Sequence, residues 1–270
     1  MESFQPGDHV AATSGSGVNA RFGAFQKYAL ATTTSASKLA PSVPLESAAT
    51  AIINLLTVVS ALSVHLGLDR PPLSGAAEPK GKKVFIYGGS SSVGGHAVKY
   101  AATAGYEVVT TSSPANRDFV QSLGPAHIID HTQSPEAIVQ EIKEHGPYAA
   151  IFDAIAIPPV TNIMFKYLGS VGCGAYNASI PLMGGEDPAP PNVEQRFASY
   201  PHSLSEPQHK YLERWFYEEY LPEGLESGLI APTRAQVVDG GLEGAQGALD
   251  LLAQKKVSGK KLIFYPWAKP

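Results

Sequence analysis

A doubly wound α/β fold, an open parallel sheet covered by helices on both faces, is what this sequence predicts, and three observations predict it. From residue 84 onward, short apolar runs alternate with helix-length segments. The first run ends in a glycine- and serine-rich turn, "YGGSSSVGG", that opens the next helix. The chain has 270 residues, 44% of them apolar and 16% charged, which suffices for a substantial core. The expected strands lie at residues 84–87, 107–111, 127–130, 149–153 and 171–176, with helices at 94–104, 114–123, 135–145 and 158–167. Strands separated by helices in this way are joined by right-handed crossovers and therefore run parallel.

The flanking segments read differently. In residues 1–40, apolar pieces at 9–12 and 25–31 are broken by "SGSG" and "ATTTSASK", which points to strands and turns. Residues 47–64, "SAATAIINLLTVVSALSV", are uncharged for about the shortest length that crosses a membrane. Asn54, the hydroxyl residues and the small Ala48, Ala49, Ala51 and Ala61 suit a helix packed against protein instead. "DRPPLSGAAEPKGKK" then reads as an exposed linker. Residues 179–202 read as a proline-rich connection and 206–221 as a helix. The tail supplies a strand, a helix bearing Ala248, Leu249, Leu251 and Leu252, and a last strand at 262–265.

A strand that turns tightly into a helix offers a pyrophosphate unpaired N–H groups and the positive end of the helix dipole. Against the pattern G-x-G-x-x-G, the turn supplies Gly89, Ser91 and Gly94, with Ser90, Ser92 and Val93 between and beside them. An ordinary strand-to-helix joint would use the same residues; the complete alternating run that follows favours the nucleotide. Where an NAD site carries Asp or Glu, the second strand ends in Thr110, Thr111, Ser112 and Ser113, followed by Asn116 and Arg117. Hydroxyls leave room for a ribose 2′-phosphate and Arg117 can neutralise it, so NADPH is the expected cofactor. The same residues would also cap the next helix, and both roles can hold. A short-chain reductase could own a similar turn, but it needs Tyr and Lys four residues apart on a later helix, and no predicted helix carries that pair.

Other classes are excluded by composition. A net charge of −4 and a pI near 6.1 give no basic field for nucleic acid. A single cysteine, Cys173, excludes an intramolecular disulfide and fits a reducing, cytoplasmic setting. Flanked by Gly172 and Gly174, it reads as a buried small residue. One cysteine cannot supply a catalytic and a structural zinc set, so no metal is expected. "MESFQPGDHV" has neither the basic nor the apolar region of a secretory signal.

Six stretches, in order, carry a family resemblance: "FQPGDHV" at 4–10, "GAFQKYAL" at 23–30, "PSVPLESAA" at 41–49, "GGSSSVG", "SPANRDFVQSLGP" at 113–125 and "GGLEGAQGALDLLAQKKVSGKKLIF" at 240–264. Together they resemble the zinc-independent branch of the medium-chain dehydrogenase/reductase superfamily, the quinone reductase-like proteins and fungal trans-acting enoyl reductases. The resemblance implies a partial GroES-like β-rich catalytic domain with a connecting helix at 1–68, a Rossmann NADPH-binding domain at 69–230, and a return to the catalytic domain at 231–270. It implies hydride transfer from NADPH to an electron-poor C=C bond or a quinone. The substrate would be a small molecule, with a carrier-bound enoyl thioester of secondary metabolism ranked above a generic quinone. By the same resemblance, Ser90 to Val93 hold the phosphates, Ser112 or Ser113 the 2′-phosphate, and His131 the adenine. Ala154, with Gly174 and Ala175 at the end of the fifth strand, would flank the nicotinamide. Relatives carry many more residues before "PGDHV", so the expectation is a reductase short of its first strands, with an exposed edge that invites association, an oligomer included, or local disorder. Tyr28 and Tyr176 are candidate proton donors, though each also reads as a packing tyrosine. The rival expectation is a non-catalytic NADPH-binding or interaction protein derived from such a reductase.

Overall fold

The structure is a computed structural model that describes residues 4–13 and 19–267; the "SGSG" break lies outside the described residues. Its centre is a six-stranded parallel sheet of β3 (Lys83–Tyr87), β4 (Glu107–Ser112), β5 (His127–Asp130), β6 (Ala150–Asp153), β7 (Gly174–Ala178) and β8 (Val193–Arg196). The spatial order is β5-β4-β3-β6-β7-β8, the two-halved order of a Rossmann fold. Strand order reverses between β3 and β6, so the two crossovers leave to opposite sides and open a crevice at the carboxyl ends.

Alternation along β3 explains the two layers. Val84 and Ile86 point into one core with α1 (Leu45–Val59) and α2 (Ser92–Thr103); Phe85 and Tyr87 point into the other with α4 (Pro135–His145) and α5 (Pro158–Ser170). Side chains on a strand alternate faces, so a strand covered twice must be apolar throughout. Val84, Phe85 and Ile86 are fully buried. α3 (Arg117–Ser122) is short and follows a 3-10 turn at Pro114–Asn116.

Two departures from the sequence expectation alter the central sheet. β8 falls inside the stretch expected to be a proline-rich connection. It reads Val-Glu-Gln-Arg, with Arg196 paired to Glu194 at 2.8 Å, because an edge strand needs no second apolar face and its charges discourage further pairing. The fifth strand was expected at 171–176 but begins at Gly174, because α5 runs on to Ser170 and Gly172 turns the chain at φ 96°. β-branched Val171 closes the helix instead of opening the strand.

α1 continues through a wider π turn, Ser60–His65, and the whole of Leu45–His65 is long and apolar enough to cross a membrane by length and composition. Most of it is enclosed by protein: Ala51, Val58, Val59, Ala61 and Leu62 have no exposure and pack with α2 and with the helices α6 (Tyr200–Leu204), α7 (Lys210–Trp215) and α8 (Leu221–Ser227). Near the chain start, β1 (Val10–Ala12) pairs antiparallel with β2 (Ala36–Lys38); near the end, β9 (Ala235–Val237) pairs parallel with β10 (Lys261–Ile263), across α9 (Ala245–Ala253). Of the apolar residues on α9, Ala248 is buried while Leu249 and Leu252 are exposed.

His96 of α2 is buried and neither ring nitrogen meets a hydrogen-bond partner among the described residues. Burial holds its pKa down at about 4, against 6.5 for a solvated histidine. A histidine depressed by folding is neutral in the native state, so its contribution is lost as pH falls from 6.5 towards 4. His96→Leu should therefore remove about 2 kcal/mol of the acid loss between pH 7 and pH 4.5, read as the difference between urea unfolding midpoints at the two pH values.

Candidate functional site

The crevice is built from the turn after β3. Gly88 leaves the strand at φ 89°, and its amide donates to Thr111 Oγ1 at 2.8 Å, which pins the turn to β4. A Cβ at Gly89 would come within 2.5 Å of Thr110 Oγ1, and one at Gly94 would overlap the Gly88 carbonyl oxygen. Both positions therefore require glycine, and the helix is allowed to approach the strand. Ser91 caps α2, its hydroxyl accepting from the Gly94 amide at 3.0 Å. The amides of Ser92 and Val93, in the first helical turn, have no intrahelical acceptor and, with half-buried Ser90, form the anion-facing end. Gly88, which lies just before the pattern, was not singled out from sequence; its position directly after the apolar run was the available signal.

At the end of β4 the structure separates the two serines. Ser112 is 2% exposed and its hydroxyl is turned to the Ser113 carbonyl at 3.0 Å; Ser113 is half-buried, and its hydroxyl accepts from Asn116 Nδ2 at 3.3 Å. Asn116 is itself held from the far end of the chain. Its Nδ2 donates to Ser258 Oγ at 3.0 Å, and its Oδ1 accepts from the Arg234 guanidinium at 2.6 Å. Arg234 also donates to the Gly259 carbonyl at 3.0 Å and stacks 4.5 Å over Phe119. Arg234, Ser258 and Gly259 were not singled out from sequence, because contacts spanning more than a hundred residues leave no local pattern. Arg117, exposed, donates to the Ile128 carbonyl at 3.3 Å. His131 follows β5, with its amide bonded to the Ser112 carbonyl at 3.2 Å.

Ala154 closes the crevice at the end of β6, its amide donating to the Tyr87 carbonyl at 3.1 Å. Gly174 and Ala175 require a correction. They open β7, paired with Val193 and Glu194, and so lie at the opposite edge of the sheet, in a hollow shared with Tyr148, Tyr167 and Cys173. The residues at the crevice end of that strand are Ala178 and Ser179, the latter bonded to the Asp153 carbonyl at 2.8 Å. Cys173 is exposed, not buried as expected. Tyr176 is 1% exposed and its hydroxyl is buried in the core, whereas Tyr28 is 82% exposed, its ring edge-on to Trp267.

Comparison with known proteins decides the family. A trans-enoyl reductase of Aspergillus japonicus is 33% identical over 242 residues, covering 88% of this chain and 68% of that protein. A dehydrogenase of Aspergillus niger is 34% identical over 269 residues, covering 96% of this chain and 75% of that protein. The chain belongs to the medium-chain dehydrogenase/reductase superfamily. Residues 92–193 of this superfamily member match the family described as zinc-binding dehydrogenase. Its fold is that of an alcohol dehydrogenase superfamily protein from Novosphingobium aromaticivorans, with TM-score 0.71 and 19% identity over 95% of this chain and 74% of that one. A mycobacterial protein complexed with NADPH matches with TM-score 0.66 and 18% identity over 87% of this chain and 69% of that one.

As a superfamily member the chain is an oxidoreductase, and a nicotinamide dinucleotide is the cofactor its crevice suits. Glycines that exclude a Cβ, a capped helix with open amides, and hydroxyls at the second strand are the features that dinucleotide sites of this fold use for phosphates and ribose. Zinc does not suit the residues present. Among the described residues no three His, Cys, Asp or Glu side chains come together to hold an ion. His127 and His131, four apart, belong to a strand and the turn after it, and the His127 ring is stacked on His145 at 3.7 Å.

Proposed function

We propose that this chain is an NADPH-dependent, zinc-free reductase of activated C=C bonds, with an enoyl thioester, carrier-bound in secondary metabolism, as the favoured substrate. The observation that carries the cofactor choice is the end of β4, where Ser113, Asn116 and the Arg234 guanidinium meet, while the carboxylate of Asp130 on the adjoining strand is turned to Thr132. A 2′-phosphate there would find donors and a neighbouring positive charge, while the ribose hydroxyls of NADH would lack their usual carboxylate acceptor. The reduced nicotinamide supplies the hydride; the chain's own residues bind, orient and exclude water. Ser92 and Val93 amides would take the pyrophosphate, Ser113 and Asn116 the 2′-phosphate, His131 the adenine edge, and Ala154, Ala178 and Ser179 the space beside the ring. The identity of the substrate is supported by relatives named trans-enoyl reductases in Aspergillus japonicus and in two Fusarium-type fungi.

Ser113→Asp should reverse the preference. A carboxylate at that position repels the 2′-phosphate and accepts from a free ribose diol, so NADPH affinity falls about tenfold or more while NADH affinity rises. Parallel fluorescence titrations of wild type and variant read this directly.

A second reading, a binding protein without turnover, is favoured by one observation: the hydroxyl of Tyr176, one of the two candidate proton donors, is buried in the core. The two readings part on turnover. NADPH consumption with an enoyl thioester, a simple enone and a quinone, followed at 340 nm, supports the reductase. NADPH bound but unconsumed with all three substrates supports the binding protein.

A further inference from the structure

Directly behind the crevice lies a buried carboxylate that the binding scheme above does not use. Asp153 ends β6 with no exposure. Its Oδ1 accepts from the amides of Ile155 and Ala156, both at 2.9 Å, while Oδ2 meets no hydrogen-bond partner among the described residues. The loop gathered by these two bonds is in an unfavourable conformation: Ala156 sits at φ 49°, in the left-handed region that a residue with a Cβ enters at a cost. Ile155 lies over the phosphate turn so closely that a Cβ at Gly88 would come within 2.5 Å of its side chain. The loop is thus pressed against the turn on one side and tied to β3 and β7 through the Ala154 and Ser179 amides on the other.

We propose that Asp153 is a positioning residue for the nicotinamide half of the cofactor, its carboxylate holding residues 154–156 in the strained conformation that shapes the floor beneath the ring. The inference rests on the nicotinamide-cofactor reading above and deepens it. A lone Asp at a strand end would cap any following turn. Here the capped turn contains the left-handed alanine, lies at the point where strand order reverses, and contacts the glycine that starts the phosphate cradle. Strain held in place by a buried charge at such a point is how a fold keeps a binding surface in a shape its backbone would otherwise leave.

The groups that face Asp153 are Tyr87 from β3 and Tyr176 from β7, with Thr161 of α5 adjoining Tyr176 and Glu186 the further charge felt there. Burial outweighs the two amide bonds and lifts the carboxyl to about 6, so protonation, and with it a weaker hold on the loop, falls within an accessible pH range.

The test uses NADPH and 2′-phospho-ADP-ribose, which carries the same phosphates and lacks the nicotinamide. Both are titrated into wild type, Asp153→Asn, Ala156→Gly and the double variant. Asp153→Asn should weaken NADPH about tenfold and leave 2′-phospho-ADP-ribose within about twofold. Ala156→Gly in that background should restore most of the loss, because glycine holds a left-handed φ without the carboxylate. In wild type, the affinity ratio of NADPH to 2′-phospho-ADP-ribose should fall as pH is lowered from about 7.5 to 5.5, and in Asp153→Asn it should stay flat. Equal weakening of both ligands, or no weakening, overturns the inference. If Asp153→Asn does not fold, the wild-type ratio decides alone, a flat profile overturning it. Wild type binding neither ligand would overturn the cofactor reading and this inference with it; wild type binding both, with the variants unaffected, would overturn the inference only.

Discussion

Gly94→Ala is expected to weaken the proposed NADPH binding about a hundredfold or more and to destabilise the chain by about 3 kcal/mol or more. The added methyl would overlap the Gly88 carbonyl oxygen, a backbone atom at the end of a buried strand that cannot rotate away. Relief requires α2 to move off β3. That breaks the Ser91 cap on the Gly94 amide, and it displaces the Ser92 and Val93 amides from the site where a pyrophosphate would sit. The neighbouring position is the control. A Cβ at Gly95 would meet the Gly89 carbonyl oxygen at 3.2 Å and Leu123 at 3.4 Å, contacts that a few tenths of an ångström relieve. Gly95→Ala should therefore keep binding within about tenfold of wild type. Chemical unfolding and fluorescence titration of the pair check both effects; equal behaviour of the two variants would mean that the close approach at Gly94 is not what shapes the turn.

Asp153→Asn should make the chain more stable at pH 7.5 while weakening its hold on NADPH. The carboxyl has its pKa raised from 3.8 to about 6, chiefly by burial. For an acid whose folded pKa is raised, the native state binds more protons than the unfolded state between pH 3.8 and 6. Stability therefore falls as pH rises through that window, and the full cost persists above it. The shift corresponds to about 3 kcal/mol at the upper limit. Asparagine keeps an acceptor for the Ile155 and Ala156 amides and carries no charge, though its bonds are weaker than those of a carboxylate. The expected net gain is about 1–2 kcal/mol at pH 7.5 and close to zero at pH 4. Thermal unfolding at the two pH values reads it. A variant less stable than wild type at pH 7.5 would mean that the charge supports the fold instead of straining it.

These effects mark how far the sequence could be read. The alternation of strands and helices was legible because a strand covered on both faces must be apolar throughout, and Val84 to Tyr87 and Ala150 to Phe152 are. β8 was not legible: an edge strand buries little, and Val-Glu-Gln-Arg amid prolines carries no such signature. The phosphate turn was visible as a cluster of glycine and serine, and Gly89 and Gly94 were singled out in it, but Gly88 was not. Gly88 and Gly94 are distinguished by a positive φ and by contact with a carbonyl, which only the folded backbone displays. The misplacement of Gly174 and Ala175 has a single cause. Starting the fifth strand three residues early turned its first residues into its last and moved them to the opposite edge of the sheet. Asn116 was singled out from its position after the second strand. The Arg234 and Ser258 side chains that hold it come from segments more than a hundred residues away, and no local pattern predicts that meeting.

The central claim is that the carboxyl edge of the sheet binds NADPH in preference to NADH. Nicotinamide fluorescence, followed while each is titrated into the purified 270-residue chain under identical conditions, tests it most directly. The arrangement of Ser113, Asn116 and Arg234 predicts saturable NADPH binding at least about tenfold tighter than NADH. A folded chain that binds neither, or that binds NADH as tightly as NADPH, would contradict it.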